Sequence, residues 1–360
     1  MLTLGRCGVR GAAVGLAAVV VAVAAEAQDP PSRPAGFHPF LATGIGLTAG
    51  EVASLVQGRV VVKTLDPGDR REVGLAGVVR IEAPRERMVD GWRDIVAFRK
   101  SDVVLEMGTF GEPPRPGDLA ALTIDRQDID DLAQCRPGSC KVQLSAADIG
   151  RFQREIDWRD GNRAAKVAAL MHDVLFTHLR RYRAQGLEGL GTYDDRRDPV
   201  VIGDELRSIL SQSPSPLDLV PELRNHVVAY PLRPLTAAEE GFYWSKERFG
   251  FKPVTGITHT TMYVEPSRGG VALLVSRQIY ANHYFDGSVG VSALLDVPGR
   301  EGEAFDLLYV NRTRSARMTG FFGGIARSMA TGRARDAMGR LLDGLKRRTE
   351  RAPATASTGR

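Results

Sequence analysis

Cysteine is nearly absent, three residues in 360, and histidine is scarce at six. So few soft or imidazole ligands could hold a metal only if they were clustered, and they are not. His172 and His178 are six apart on a helical stretch, no H-E-x-x-H occurs, and His38, His226, His259 and His283 stand at no ligand spacing. No metal and no cofactor is expected. A G-x-S-x-G elbow is also missing, which removes the commonest serine-hydrolase signature. Charge of one sign does not accumulate: 48 Lys and Arg against 43 Asp and Glu leave +5, with the arginines scattered. A nucleic-acid binder concentrates such residues on a stripe or helix, so nucleic acid is not an expected partner. There is no internal repeat of roughly 20–50 residues, and no apolar run reaches the roughly 20 residues a membrane-spanning helix needs.

The longest apolar stretch is at the N-terminus. Arg6 and Arg10 precede fifteen uncharged residues, Gly11 to Ala25, and Ala25-Glu26-Ala27 fits a small-x-small cleavage site. Residues 1–27 therefore read as a secretory signal peptide, with a periplasmic or secreted mature chain starting at Gln28. Cys7 precedes the apolar core beside Arg6, which does not suit a lipidation box. The mature chain keeps Cys135 and Cys140, separated by Arg-Pro-Gly-Ser. Pro-Gly sets a tight turn that brings the thiols together, and an oxidising compartment makes a disulfide the natural reading. A redox pair of the usual kind would want C-x-x-C.

Period and punctuation then divide the chain. Residues 28–47, with four prolines and three glycines, read as an arm. Thr48-x-x-Glu51 is a capping box opening a short helix. Strands are expected over Arg59–Leu65 and Val73–Ile81, a helix from Pro84 through Val96, and a strand over Val103–Phe110. From about 111 to 233 the pattern is helical, with its longest helix over Asn162–Arg183. Strands return over 242–249, 254–265, 271–284, 287–297 and 304–314, and Pro266 to Gly270 reads as a hairpin loop. A terminal helix spans about 319–348, and 351–360 is a small polar tail. Residues 48–350 thus form one α+β domain with a helical insertion.

This order of strands, helical section, antiparallel strands and one long terminal helix resembles the START-like, or helix-grip, lipid-binding superfamily. The closest local echo is Gly77-Val-Val-Arg-Ile-Glu-Ala-Pro84-Arg-Glu-Arg-Met-Val-Asp-Gly-Trp92, similar to that superfamily's strand, Pro, helix opening. The resemblance covers about residues 58–350 in element order and carries no diagnostic motif. It implies a curved antiparallel sheet gripping the C-terminal helix, with a cavity between them for a hydrophobic or amphipathic, lipid-like small molecule. Contact with a membrane surface is a further expected partnership.

Polar chemistry concentrates in the last strands. On one strand His259, Thr261 and Tyr263 point together. On the next, alternation puts Arg277 and His283 on one face and Tyr280 and Tyr284 on the other. Tyr309 and Asn311 share a face of the last strand, and Arg312 follows Asn311. These nine residues (His259, Tyr263, Arg277, Tyr280, His283, Tyr284, Tyr309, Asn311 and Arg312) are the candidate ligand contacts, and an arginine could pair an anionic group. Two other readings stand beside binding: a hydrolase or cyclase using His259, Tyr280 and His283 as an acid–base cluster, and a structural or partner-binding envelope protein.

Overall fold

A computed structural model describes residues 37–265, 270–316 and 323–351. Residues 1–27, read as a signal peptide, residues 28–36 of the Pro/Gly arm, the hairpin loop at 266–269 and residues 352–360 of the tail lie outside the described residues. In chain order the elements are α1 (Pro39–Thr43), α2 (Ala49–Val56), β1 (Val61–Leu65), β2 (Glu72–Ile81), α3 (Glu86–Arg93), α4 (Ile95–Arg99) and β3 (Val104–Thr109). The helical section supplies α5 (Arg126–Leu132), α6 (Ala146–Glu155), α7 (Arg163–Gln185), a two-residue pair β4 (Thr192–Tyr193) and β5 (Val200–Val201), α8 (Ile202–Leu210) and α9 (Pro221–Ala229). Then come β6 (Ala238–Glu247), β7 (Val254–Val264), β8 (Val271–Ala281), β9 (Gly287–Asp296), β10 (Phe305–Arg314) and α10 (Gly323–Arg351).

Eight strands form one antiparallel sheet in the order β1-β2-β10-β9-β8-β7-β6-β3. Consecutive hairpins build its β6–β10 centre, and the two N-terminal strands add beside β10 through ten register pairs from Phe305↔Ile81 to Arg314↔Glu72. Both faces are covered. The helical section lies on one, where Tyr182 and Leu179 of α7, Leu206 of α8 and Val227 of α9 pack with Val275, Val291 and Val310. On the other, Met338, Leu342 and Leu345 of α10 and Met88, Val89 and Trp92 of α3 pack against Val79, Ile81, Leu294 and Leu307. The chain is thus α+β, a sheet with a long C-terminal helix on one side and the helical insertion on the other.

The local signals work as their chemistry requires. Thr48 accepts from the Glu51 N–H while Glu51 accepts from the Thr48 N–H, the reciprocal capping box that starts α2. Cys135 and Cys140 form a disulfide around the Pro-Gly turn. Asp94, whose side chain caps Ala97, splits the helix expected from Pro84 into α3 and α4. The arm's described end belongs to the packed body, since Phe37, Leu41, Ile45 and Leu47 are buried in the core. Close approach explains Gly77: a Cβ there would lie 2.5 Å from Leu342 Cδ1 and 2.8 Å from Met338 Sδ, so α10 sits directly on the bare backbone of β2.

Candidate functional site

The nine candidate residues divide between the two faces and into separate clusters. Under the helical layer, register pairing sets His259 opposite Arg277 and Phe242. His259 is fully enclosed, stacked on Phe242 at 4.1 Å and edge-on to Tyr230 at 4.5 Å. Its Nε2 lies 2.5 Å from Glu240 Oε2. A carboxylate can only accept, so Nε2 carries the proton, and Nδ1 accepts from the Tyr182 hydroxyl at 2.8 Å. Burial, with the Arg277 charge, pushes the imidazole down to about 3, which keeps it neutral. Burial alone would raise the Glu240 carboxyl, but donors from His259 and His226 and the Arg277 charge outweigh it and hold the carboxyl low. Arg277 donates to Val227 O at 2.8 Å and Thr261 Oγ1 at 2.6 Å. Glu240 Oε1 meets His226 Nε2 at 2.5 Å, and His226 Nδ1 faces Arg233 O at 2.6 Å.

This cluster fastens α7, α9 and the following turn to β6–β8. Its histidine has no surface from which to reach a substrate. Tyr263 stands nearby on the same strand with its hydroxyl 3.5 Å from Glu222. The sequence singled out His259 and Arg277 but not Glu240, His226, Tyr182 or Tyr230, which lie up to 77 residues from His259.

His283 occupies a different place. Its Nε2 sits 3.0 Å from both oxygens of Asp128, which also receives Lys252 Nζ at 3.0 Å and Asn282 Nδ2 at 2.9 Å. Tyr280 donates to Gln143 O at 3.2 Å. Simple alternation expects Tyr280 to face away from Arg277. The ladder slips one residue between Ile257 and Thr258, leaving Ile279 as the extra residue, so Tyr280 turns toward the helical layer. His259, Tyr280 and His283 therefore share no hydrogen-bond partner, and His259 stands in a different cluster from the other two. Tyr284, at φ 66, accepts from the Lys252 N–H at 3.1 Å. Arg312 is buried against Glu72 at 2.7 Å, and Arg314 joins the same carboxylate at 3.0 Å.

Tyr309 and Asn311 share the opposite face, as alternation expects, with Asn311 Nδ2 donating to the Tyr309 hydroxyl at 3.4 Å. Register places them in rows with Ser292, Gly290 and Ser276, and the next row joins Thr313, Ser288, Gln278, Thr258 and Tyr243. Toward β2 and α10 this face is apolar. Its other half is small and polar, and none of these positions carries a charge. Ser276, Gln278, Ser288, Ser292, Tyr309, Asn311 and Thr313 are all half-buried, whereas their neighbours facing the helical layer are almost all buried. A sheet face open to water normally carries charged side chains.

Further features gather at the end of this face beside α4. Tyr309 on β10 and Tyr243 on β6 are separated by three strands, about 19 Å on a flat sheet. Tyr309 leans across β9, its hydroxyl over Gly290, and both phenols act electrostatically on Arg99 of α4. Burial pushes the Tyr309 phenol up despite the Arg99 charge. Arg99 lies over the Tyr243 ring at 5.4 Å and pairs with Glu247 at 2.7 Å. Gln278 Oε1 and Arg99 Nε are buried without a hydrogen-bond partner. By contrast, the pocket under α8 on the helical side measures about 20 Å³, room for a single water.

Among the described residues no cluster of His, Cys, Asp and Glu could hold a metal ion, and no helix is long and apolar enough to cross a membrane. No family model matches the chain, and neither does any curated protein or solved structure.

Proposed function

We propose that the chain is an exported binding protein for an amphipathic small molecule, held in a recess formed by β6–β10 and α4, beside α10. The observation that carries the reading is the uncharged polar half-face with two buried, unpartnered groups. Gln278 Oε1 needs a donor and Arg99 Nε needs an acceptor, and each such group costs about 1–3 kcal/mol when left unmade. A ligand with a hydroxyl or amide group answers both, and the apolar half of the same face suits a hydrocarbon body. Mostly apolar surface with a few oriented polar groups is the usual small-ligand arrangement. The element order, similar to the START-like superfamily, supports the same placement. Export is supported by residues 1–27 and by the disulfide, which belongs in an oxidising compartment.

Titration with a fluorescent fatty-alcohol analogue, whose hydroxyl both donates and accepts, tests the reading. Wild type saturates with one equivalent. Gln278→Leu weakens binding about tenfold, the loss of one buried hydrogen bond. Ser276→Trp, which fills the recess, abolishes binding, and Val56→Ser, an exposed site on α2, leaves it unchanged. Absence of saturable binding, or equal affinity in Ser276→Trp, would remove the recess from consideration.

A further inference from the structure

Among the described residues ten large apolar side chains are exposed, and four of them, Val103, Leu105, Phe249 and Phe251, gather at one corner of the sheet. The β6–β7 turn and the start of β3 adjoin there, since Arg248 donates its N–H to Val103 O at 2.7 Å. Leu105 is the extra residue where the β3–β6 ladder slips. Phe251 is completely exposed, at 101%.

The turn that carries Phe251 is braced, not slack. Phe249 packs on Phe285 at 4.7 Å and on Tyr284 at 5.6 Å. Tyr284 adopts φ 66, a conformation a tyrosine rarely takes, and its hydroxyl ties down the Lys252 N–H. Lys252 Nζ is anchored in turn to Asp128 at 3.0 Å and Asp131 at 2.5 Å. A strained residue and two ion pairs thus hold a phenylalanine in water, an expense with no return in the free molecule.

We propose that this corner docks the protein onto a phospholipid bilayer, with Phe251 and Phe249 entering the interfacial zone. The turn offers one projecting ring at its tip rather than a broad flat surface. Insertion into a fluid medium needs no shape complement, whereas a protein partner would. The cations beside it agree: Arg248 and Lys100 are exposed and make no ion pair among the described residues, and Asp102 is the one exposed acid in the segments 100–105 and 248–253. They sit where lipid phosphates would lie while aromatic rings occupy the boundary below. Docking is independent of what the recess holds.

The test is flotation with vesicles of phosphatidylcholine and a minority of phosphatidylglycerol. It uses the chain from Gln28, because the apolar residues 11–25 would bind lipid by themselves. That chain retains the compact unit from Gly36 onward. Wild type floats. Phe251→Ser weakens the partition about tenfold and Phe249→Ser/Phe251→Ser about a hundredfold, each exposed ring being worth roughly 1.5 kcal/mol. Leu232→Ser, at an exposed site outside the corner, floats like wild type. Phe251→Ser keeps the wild-type melting temperature, because its side chain touches no core. A wild type that stays in solution, or a double variant that floats equally well, overturns the proposal. Self-association that Phe251→Ser abolishes, without flotation, would also overturn it and assign the corner to a second copy of the chain.

Discussion

Glu72 carries more of this molecule than any single apolar residue of β2. Its carboxylate is buried, receives Arg312 and Arg314, and accepts from Gln212 Nε2 at 2.7 Å. Glu72→Ala leaves buried Arg312 without its counter-charge and buried Arg314 with Glu205 alone. The expected cost is about 3–5 kcal/mol, read from the urea midpoint. A cost under about 1 kcal/mol would mean that water reaches these arginines. The enclosed histidines make a second residue-scale prediction. Burial pushes His178 down to about 4 and His259 to about 3 from an ordinary 6.5. Both folded values lie below the unfolded one, so on acidification the unfolded chain takes up protons first. Their contribution is complete above about pH 6.5 and falls by roughly 1.4 kcal/mol per pH unit per histidine below it. His178→Gln should remove one proton's worth of that slope between about pH 6.5 and pH 5. An unchanged slope would show that His178 is not buried neutral.

At the scale of elements, Gly77 decides where α10 lies. Gly77→Val pushes methyls into Leu342 and Met338, and the expected cost is about 1–3 kcal/mol. Faster amide exchange along α10, with β7–β8 unchanged, is the signature to measure. Nearly every element was legible in the sequence, because alternation and 3.6-residue periodicity are local. The expected strand Val73–Ile81 and the observed Glu72–Ile81 differ by one residue, and the long helix expected over 162–183 is found at Arg163–Gln185. The exceptions were α1, inside the expected arm, the short β4–β5 pair, and the break at Asp94, whose capping role competes with helix continuation and which a periodic pattern does not register. Chemistry was less legible. The strands around His259, Arg277, Tyr309 and Asn311 were visible as polar, but the bulge that turns Tyr280 inward is a matter of pairing, not of pattern. Glu240, Tyr182 and His226 meet His259 only through the tertiary fold. The recess had a readable trace that went unused: alternate positions of β8–β10 hold Ser, Gln, Gly, Tyr, Asn and Thr without a single charge.

At the scale of the molecule, the two faces of one sheet do different work. The helical side is fastened by networks around Glu240, Asp128 and Glu72; the pocket under α8 has room for one water, and an open groove runs along α7 beside Phe176, Arg183 and Tyr230. The other side is apolar where α10 and α3 rest on it and uncharged-polar along β8–β10, up to the Arg99–Glu247 pair at α4. Tyr309 and Asn311 belong to that second region, whereas His259, Arg277 and Arg312 hold the first together. The division separates residues whose loss should unfold the protein from residues whose loss should empty it. Mass spectrometry of small molecules extracted from the chain starting at Gln28, purified natively from an exporting host, tests this most directly. The expected result is one equivalent of an amphipathic compound, absent from Ser276→Trp purified in parallel. A stably folded wild type that carries no such compound and binds none when offered lipid extract would contradict it.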